Sequence, residues 1–125
     1  MPLIVEVNAD VFITEKNMDE DAQEMDVYGK ALFAEDDGND IILFFPECDL
    51  ARFGSVQVGS AYTVRGMASL FAEENNLVSI QFLEPDMIPL DPENFTGDDR
   101  KELRTEIARL RAVYCPTALA GEVTH

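Results

Sequence analysis

The chain has 125 residues, with 25 acidic side chains against 9 basic ones and a formal net charge of -16 at pH 7. That length makes one domain able to bury a conventional core without staples, and a hydrophobic content of 46% separates the acidity from wholesale disorder. Met1-Pro2-Leu3-Ile4-Val5-Glu6 has no basic segment and loses its apolar run at Glu6, and no later stretch approaches the ~20 apolar residues of a membrane span, so the expected compartment is the cytoplasm.

Residues 3–14 alternate apolar and polar and predict one strand or two short ones. Residues 15–25 lose that alternation and predict a mobile acidic loop. A strand follows over 26–34, and Asp36-Asp37-Gly38-Asn39 supplies a hairpin turn, because Asp, Gly and Asn tolerate the positive φ such turns demand. Residues 41–45 form an apolar run that Pro46 is expected to end, with a short irregular or helical connector over 47–54. A long strand is predicted over 61–71, a turn at Glu73-Glu74-Asn75-Asn76, and a strand over 77–83 with Val78, Ile80 and Phe82 on one face. Pro85, Pro89 and Pro92 predict an extended, unpaired linker.

A helix is predicted from about 98 to 114, where Leu103, Ile107, Leu110 and Tyr114 make one apolar stripe and Pro116 stops it. Thr96 and Asp99 have the spacing of a capping box. The expected organisation is a barrel over 1–90, a linker over 91–97, a helix over 98–115 and a loose tail over 116–125. Charge divides unevenly along it: residues 1–97 hold 20 acids and 4 bases, whereas 98–125 hold five of each. Arg100, Arg104, Arg109 and Arg111 therefore either complement the acidic barrel beneath the helix or form a contact surface for an acidic partner or a second copy of the chain.

Catalytic and metal chemistry find little support. The one histidine is His125, which leaves no His-based dyad, and no phosphate-cradling glycine loop, nucleophile elbow or serine triad is present. Counting an EF-hand loop from Asp19 places Glu24 where glycine is required and Lys30 where the closing acid is required. Cys48 and Cys115 are expected to stay reduced. A non-enzymatic protein without cofactor or metal is expected.

Two segments share a pattern, Val27-Tyr28-Gly29-Lys30-Ala31 and Val64-Arg65-Gly66-Met67-Ala68, each with a glycine inside a strand, the mark of a tightly coiled small barrel. With the order strand, strand, strand, connector, strand, strand, the chain resembles the oligonucleotide/oligosaccharide-binding (OB) fold over residues 3–84. The resemblance implies a mainly β, five-stranded Greek-key barrel, here followed by an amphipathic helix. It also implies a ligand face on the second and third strands, with Tyr28, Lys30, Phe44, Phe53 and Arg65 outward and Arg52 beside them. The aromatics would stack on bases and the cations would contact phosphates.

The charge works against that ligand, because nucleic-acid affinity rests largely on Lys and Arg neutralising phosphates. The expected function is therefore a binding or adaptor protein acting through protein partners in a nucleic-acid-handling assembly. Two alternatives stand beside it: an acidic nucleic-acid mimic built on Asp19, Glu20, Asp21, Glu24, Asp36, Asp37 and Asp40, and a weak single-stranded nucleic-acid binder. Acidity suited to a salty cytoplasm is a third account of the charge.

Overall fold

The computed structural model describes residues 3–72, 77–82 and 85–116. Strand β1 (Leu3–Asp19) is 17 residues long, far beyond the usual strand, because its two halves serve different neighbours. Leu3 to Phe12 pair antiparallel with β4 (Ala61–Ala72), and Val11 to Asp19 pair antiparallel with β2 (Glu24–Asp36). Strand β3 (Asn39–Asp49) pairs with β2 and, in parallel, with β5 (Leu77–Phe82), and β5 returns to β4. The order β1-β2-β3-β5-β4, closed by the β1–β4 pairing, makes a ring of five strands. Helix α1 (Leu50–Phe53) connects β3 to β4, and helix α2 (Gly97–Tyr114) follows the ring. The fold is mainly β with one long C-terminal helix, and no helix among the described residues is long and apolar enough to cross a membrane.

Inward-facing residues of successive strands, among them Val11, Ile13, Met25, Val27, Leu43, Phe45, Val64 and Ile80, fill the ring. Gly29 lies where β1 crosses closest: a Cβ there would stand 3.3 Å from the Phe12 carbonyl oxygen and 3.4 Å from Val11 Cβ. Gly66, the second glycine of the repeated pattern, takes φ 152°. Each glycine thus relieves a backbone constraint of the coiled ring. Asp37 and Gly38 both take positive φ, 51° and 78°, in the two-residue turn between β2 and β3, the geometry that matches the twist of paired strands.

Three local expectations are corrected. Residues 15–19 and 24–25 belong to the β1–β2 hairpin, whose turn occupies only 20–23. Alternation was hidden there because Lys16 takes an inward-register position opposite Val27, its ammonium bound to the Val56 carbonyl at 2.7 Å. Pro46 does not end β3; it sits in a bulge that shifts the register between Val27 and Met25, and Glu47 takes φ 53° as the strand resumes. Nor do the prolines after 84 prevent pairing: β6 (Asp86–Pro89) pairs antiparallel with Tyr62 to Arg65 of β4, with Pro89 at its end. The turn expected at 73–76 and the tail from 117 onward lie outside the described residues.

Beyond β6 a short 3-10 turn (Pro92–Asn94), capped by the Asp91 carboxylate on the Glu93 amide at 2.9 Å, leads into α2. Thr96 is the N-cap residue but makes no side-chain capping bond, so the capping box does not form. The predicted stripe is the docking face: Leu103, Ile107 and Leu110 are buried against Phe12, Leu32 and Ala61, on the outside of the ring, with Tyr114 partly buried beside them.

Candidate functional site

The expected ligand face is the outer surface of β2 and β3. Opposed positions on antiparallel neighbours share a face, so the pairing of Tyr28 with Phe44 brings both rings together outside the ring of strands. They stack with centroids 4.6 Å apart and planes 18° from parallel, and both remain partly exposed. Pairing places Glu15 opposite Tyr28, Asn17 opposite Asp26, and Asp19 and Asp49 on either side of Glu24, all on this same face. The Asp26 carboxylate accepts the Glu47 amide at 3.1 Å across the Pro46 bulge. The outcome is an aromatic pair bordered by carboxylates.

Lys30 and Arg65, two of the cations expected on this face, are elsewhere. Lys30 shares the register face of Tyr28 but is fully buried beneath α2, which is a correction to its outward placement. Its ammonium donates to the carbonyls of Ala31 at 2.8 Å and Ala34 at 2.9 Å, with Asp40 Oδ1 at 3.8 Å and Glu106 Oε2 at 3.9 Å. The backbone makes room by a wide bulge: residues 31–34 bow out between the Lys30–Ile42 and Glu35–Asp40 pairs. Phe33 at its crest takes φ 59°, unusual for a bulky residue, while its amide donates to Glu106 Oε2 at 3.1 Å.

Phe53 is also corrected, since only 2% of it is exposed and it belongs to the interior. Arg65 is exposed but stands on β4, away from the aromatic pair, facing Asp86 at 3.4 Å. Arg52 lies in α1, and its side chain is outside the described set.

The helix arginines turn inward upon their own molecule. Arg100 donates to the Phe95 carbonyl at 2.8 Å, Arg104 pairs with Glu93, Arg109 with Glu106 at 2.9 Å, and Arg111 donates to the Gly59 carbonyl at 2.8 Å. The partners of Arg100, Arg104 and Arg109 lie in the 91–97 segment and in α2 itself, and only Arg111 reaches across to the segment before β4. Arg104 and Arg111 also border a groove of about 560 Å³ between α2, β6 and the segment around Gln57.

Sequence reasoning missed the seam network around Lys30. Glu106 is buried, Tyr114 donates its hydroxyl to Asp40, and the chain Arg109–Glu106–Lys30–Asp40–Tyr114 ties α2 to β2 and β3. Burial, then the bond to Asp40, pushes the Tyr114 hydroxyl up to about 12. One signal was available: an acid at 106, next to Ile107 on the apolar stripe, demands a buried partner. Burial, then nearby Asp26, likewise pushes the Cys48 thiol up to about 12, which makes it a core side chain rather than a nucleophile. No protein-family model, no curated protein and no solved structure matches the chain.

Proposed function

We propose that this is a non-enzymatic binding protein with an OB-like barrel, engaging a basic protein partner through the outer face of β2 and β3. The observation that carries the reading is the Tyr28–Phe44 stack bordered by Glu15, Asp26 and their acidic neighbours, with Lys30 withdrawn into the seam. Lysine and arginine side chains satisfy such a surface twice, by cation–π contact with the rings and by pairing with the carboxylates. The strand order, the parallel β3–β5 pair and the helical connector after β3 support the OB-like assignment. That resemblance is the ground for placing the protein as an adaptor in a nucleic-acid-handling assembly.

Direct nucleic-acid binding has weaker support, because phosphates meet carboxylates where the fold's usual ligand face would offer cations. The mimic reading is weakened by position. Its acids divide between the β1–β2 turn and the β2–β3 turn, at opposite ends of the 13-residue β2, so they do not gather at one point.

The test is recovery of partners from the source cell by the wild-type chain and by Tyr28→Ala/Phe44→Ala, alongside titration with single-stranded oligonucleotides across salt concentrations. A basic protein held by the wild type and lost from the double variant is the expected result. Tight oligonucleotide binding at low salt that weakens steeply with salt would overturn it.

A further inference from the structure

The first half of β1 has an open hydrogen-bonding edge. In an antiparallel ladder the N–H and C=O of one residue point to the same side, and successive residues alternate. Ile13 spends both groups on the β4 side: its amide donates to the Ser60 carbonyl at 3.0 Å, and its carbonyl accepts from the Gly59 amide at 2.9 Å. Odd-numbered residues of β1 from 3 to 13 therefore face β4, and Ile4, Glu6, Asn8 and Asp10 aim their backbone groups the other way. Strand β2 occupies that other side only from Val11 onward, because beyond Ala31, the partner of Val11, it bows away at 32–34 around Lys30. No described residue pairs with the edge at 4–10.

Two further features flank this edge. Ile4 lies opposite Ser69, so Met67 and Phe71 are its diagonal neighbours, and the three are 58%, 47% and 38% exposed. At the other end of the edge, a cavity of about 160 Å³ is lined by the rings of Phe33 and Phe95, by Leu103 and by three acids, Asp10, Asp99 and Glu102. Aromatic walls with a rim of carboxylates suit the head and stem of a lysine or arginine side chain.

We propose that Ile4–Asp10 accepts an extended cationic peptide segment as an added strand, with one basic side chain of that segment seated among Asp10, Asp99, Glu102, Phe33 and Phe95. Backbone bonds to the even-numbered residues supply the affinity, and the acidic cavity selects the charge. A cationic segment is favoured over a second copy because each copy brings a net charge of -16 to the contact. This surface is separate from the Tyr28–Phe44 face and stands or falls independently of it.

The probe is a fluorescent seven-residue peptide alternating Lys and Val, compared with its Glu/Val counterpart and with the Lys/Val peptide N-methylated at alternate amides. Binding to the full chain is followed by anisotropy. The unmethylated Lys/Val peptide is expected to bind, the acidic peptide not to bind, and one of the two N-methylation registers to abolish binding. Asn8→Pro removes an outward donor and sets its ring on the open edge, a place where strands tolerate proline, and should weaken binding at least about fivefold, one lost hydrogen bond's worth. Glu102→Gln should weaken it about twofold to threefold and flatten its salt dependence. Should Asn8→Pro fail to fold, the methylated peptides make the same test on the unaltered chain. Equal binding of methylated and unmethylated peptides overturns the proposal. So does loss of peptide binding in Tyr28→Ala/Phe44→Ala, or a dimer in light scattering that Asn8→Pro abolishes.

Discussion

The two cores of this molecule are built on different principles. Inside the ring, Val11, Ile13, Met25, Val27, Phe45, Val64 and Ile80 meet through apolar contact alone. Under α2, the apolar cluster of Phe12, Leu32, Leu103, Ile107 and Leu110 has a charged wall, in which Lys30 is enclosed by two carbonyls and flanked by Glu106 and Asp40. Apolar burial is non-directional and sets how strongly surfaces adhere. The seam's directional bonds, from the Phe33 amide to Glu106 and from the Tyr114 hydroxyl to Asp40, join the helix to the ring. The interior therefore holds the ring together, whereas the seam orients the helix upon it.

That contrast can be broken first by cavity formation. Phe45→Ala inside the ring is expected to cost about 3–5 kcal/mol and Leu110→Ala under the helix about 2–5 kcal/mol, both read from denaturant unfolding. If α2 were a mere appendage, Leu110→Ala would cost little and leave the barrel transition in place.

The charged wall comes next. Glu106→Gln should cost about 1–3 kcal/mol, since it weakens the acceptor of the Phe33 amide and of Arg109 and leaves Lys30 facing Asp40 alone among the acids. Combining it with Lys30→Met should cost less than the sum of the single changes, because both act on one network. Strict additivity in that double-mutant cycle would remove the network from the account.

Tyr114 sharpens the comparison through pH. A free tyrosine ionises near 10, and in the folded chain this one ionises near 12. Its contribution to stability is therefore complete below about pH 10 and is lost as pH rises toward 12. Tyr114→Phe should cost about 0.5–1.5 kcal/mol at neutral pH and should flatten the alkaline decline in melting temperature. The smallest effect separates the two thiols: Cys48, buried in the interior core, should resist a thiol reagent at pH 8 in the native state, and half-buried Cys115 should react. Labelling of both at equal rates would show that the ring opens readily.

Much of the ring was legible because its signals are local. Alternation marked β5, an apolar run marked β3, Asp37-Gly38 marked the β2–β3 hairpin, and Leu103, Ile107, Leu110 and Tyr114 marked the helix face. What misled the reading was a locally polar residue in an inward-register position, or a proline inside a bulge. Lys16 hid the second half of β1 as an acidic loop, and Pro46 was taken for the end of β3. The candidate face was half legible: Tyr28 and Phe44 do meet on the outer surface, but Lys30 is buried and Phe53 is interior.

By itself the sequence determined an acidic, mainly β chain with a glycine-relieved ring and one amphipathic helix. Periodicity, turn residues and net charge belong to neighbouring residues or to the chain as a whole. Only the tertiary structure decided which carboxylates border the aromatic pair, that the helix arginines bind their own chain, and that β1 keeps an open edge. The first and the last depend on register and on how the bulges at 31–34 and 46–47 divert the backbone, and the second on where the 91–97 segment folds against α2. A shift of one residue in pairing reverses which face a side chain meets, and no local pattern carries that information.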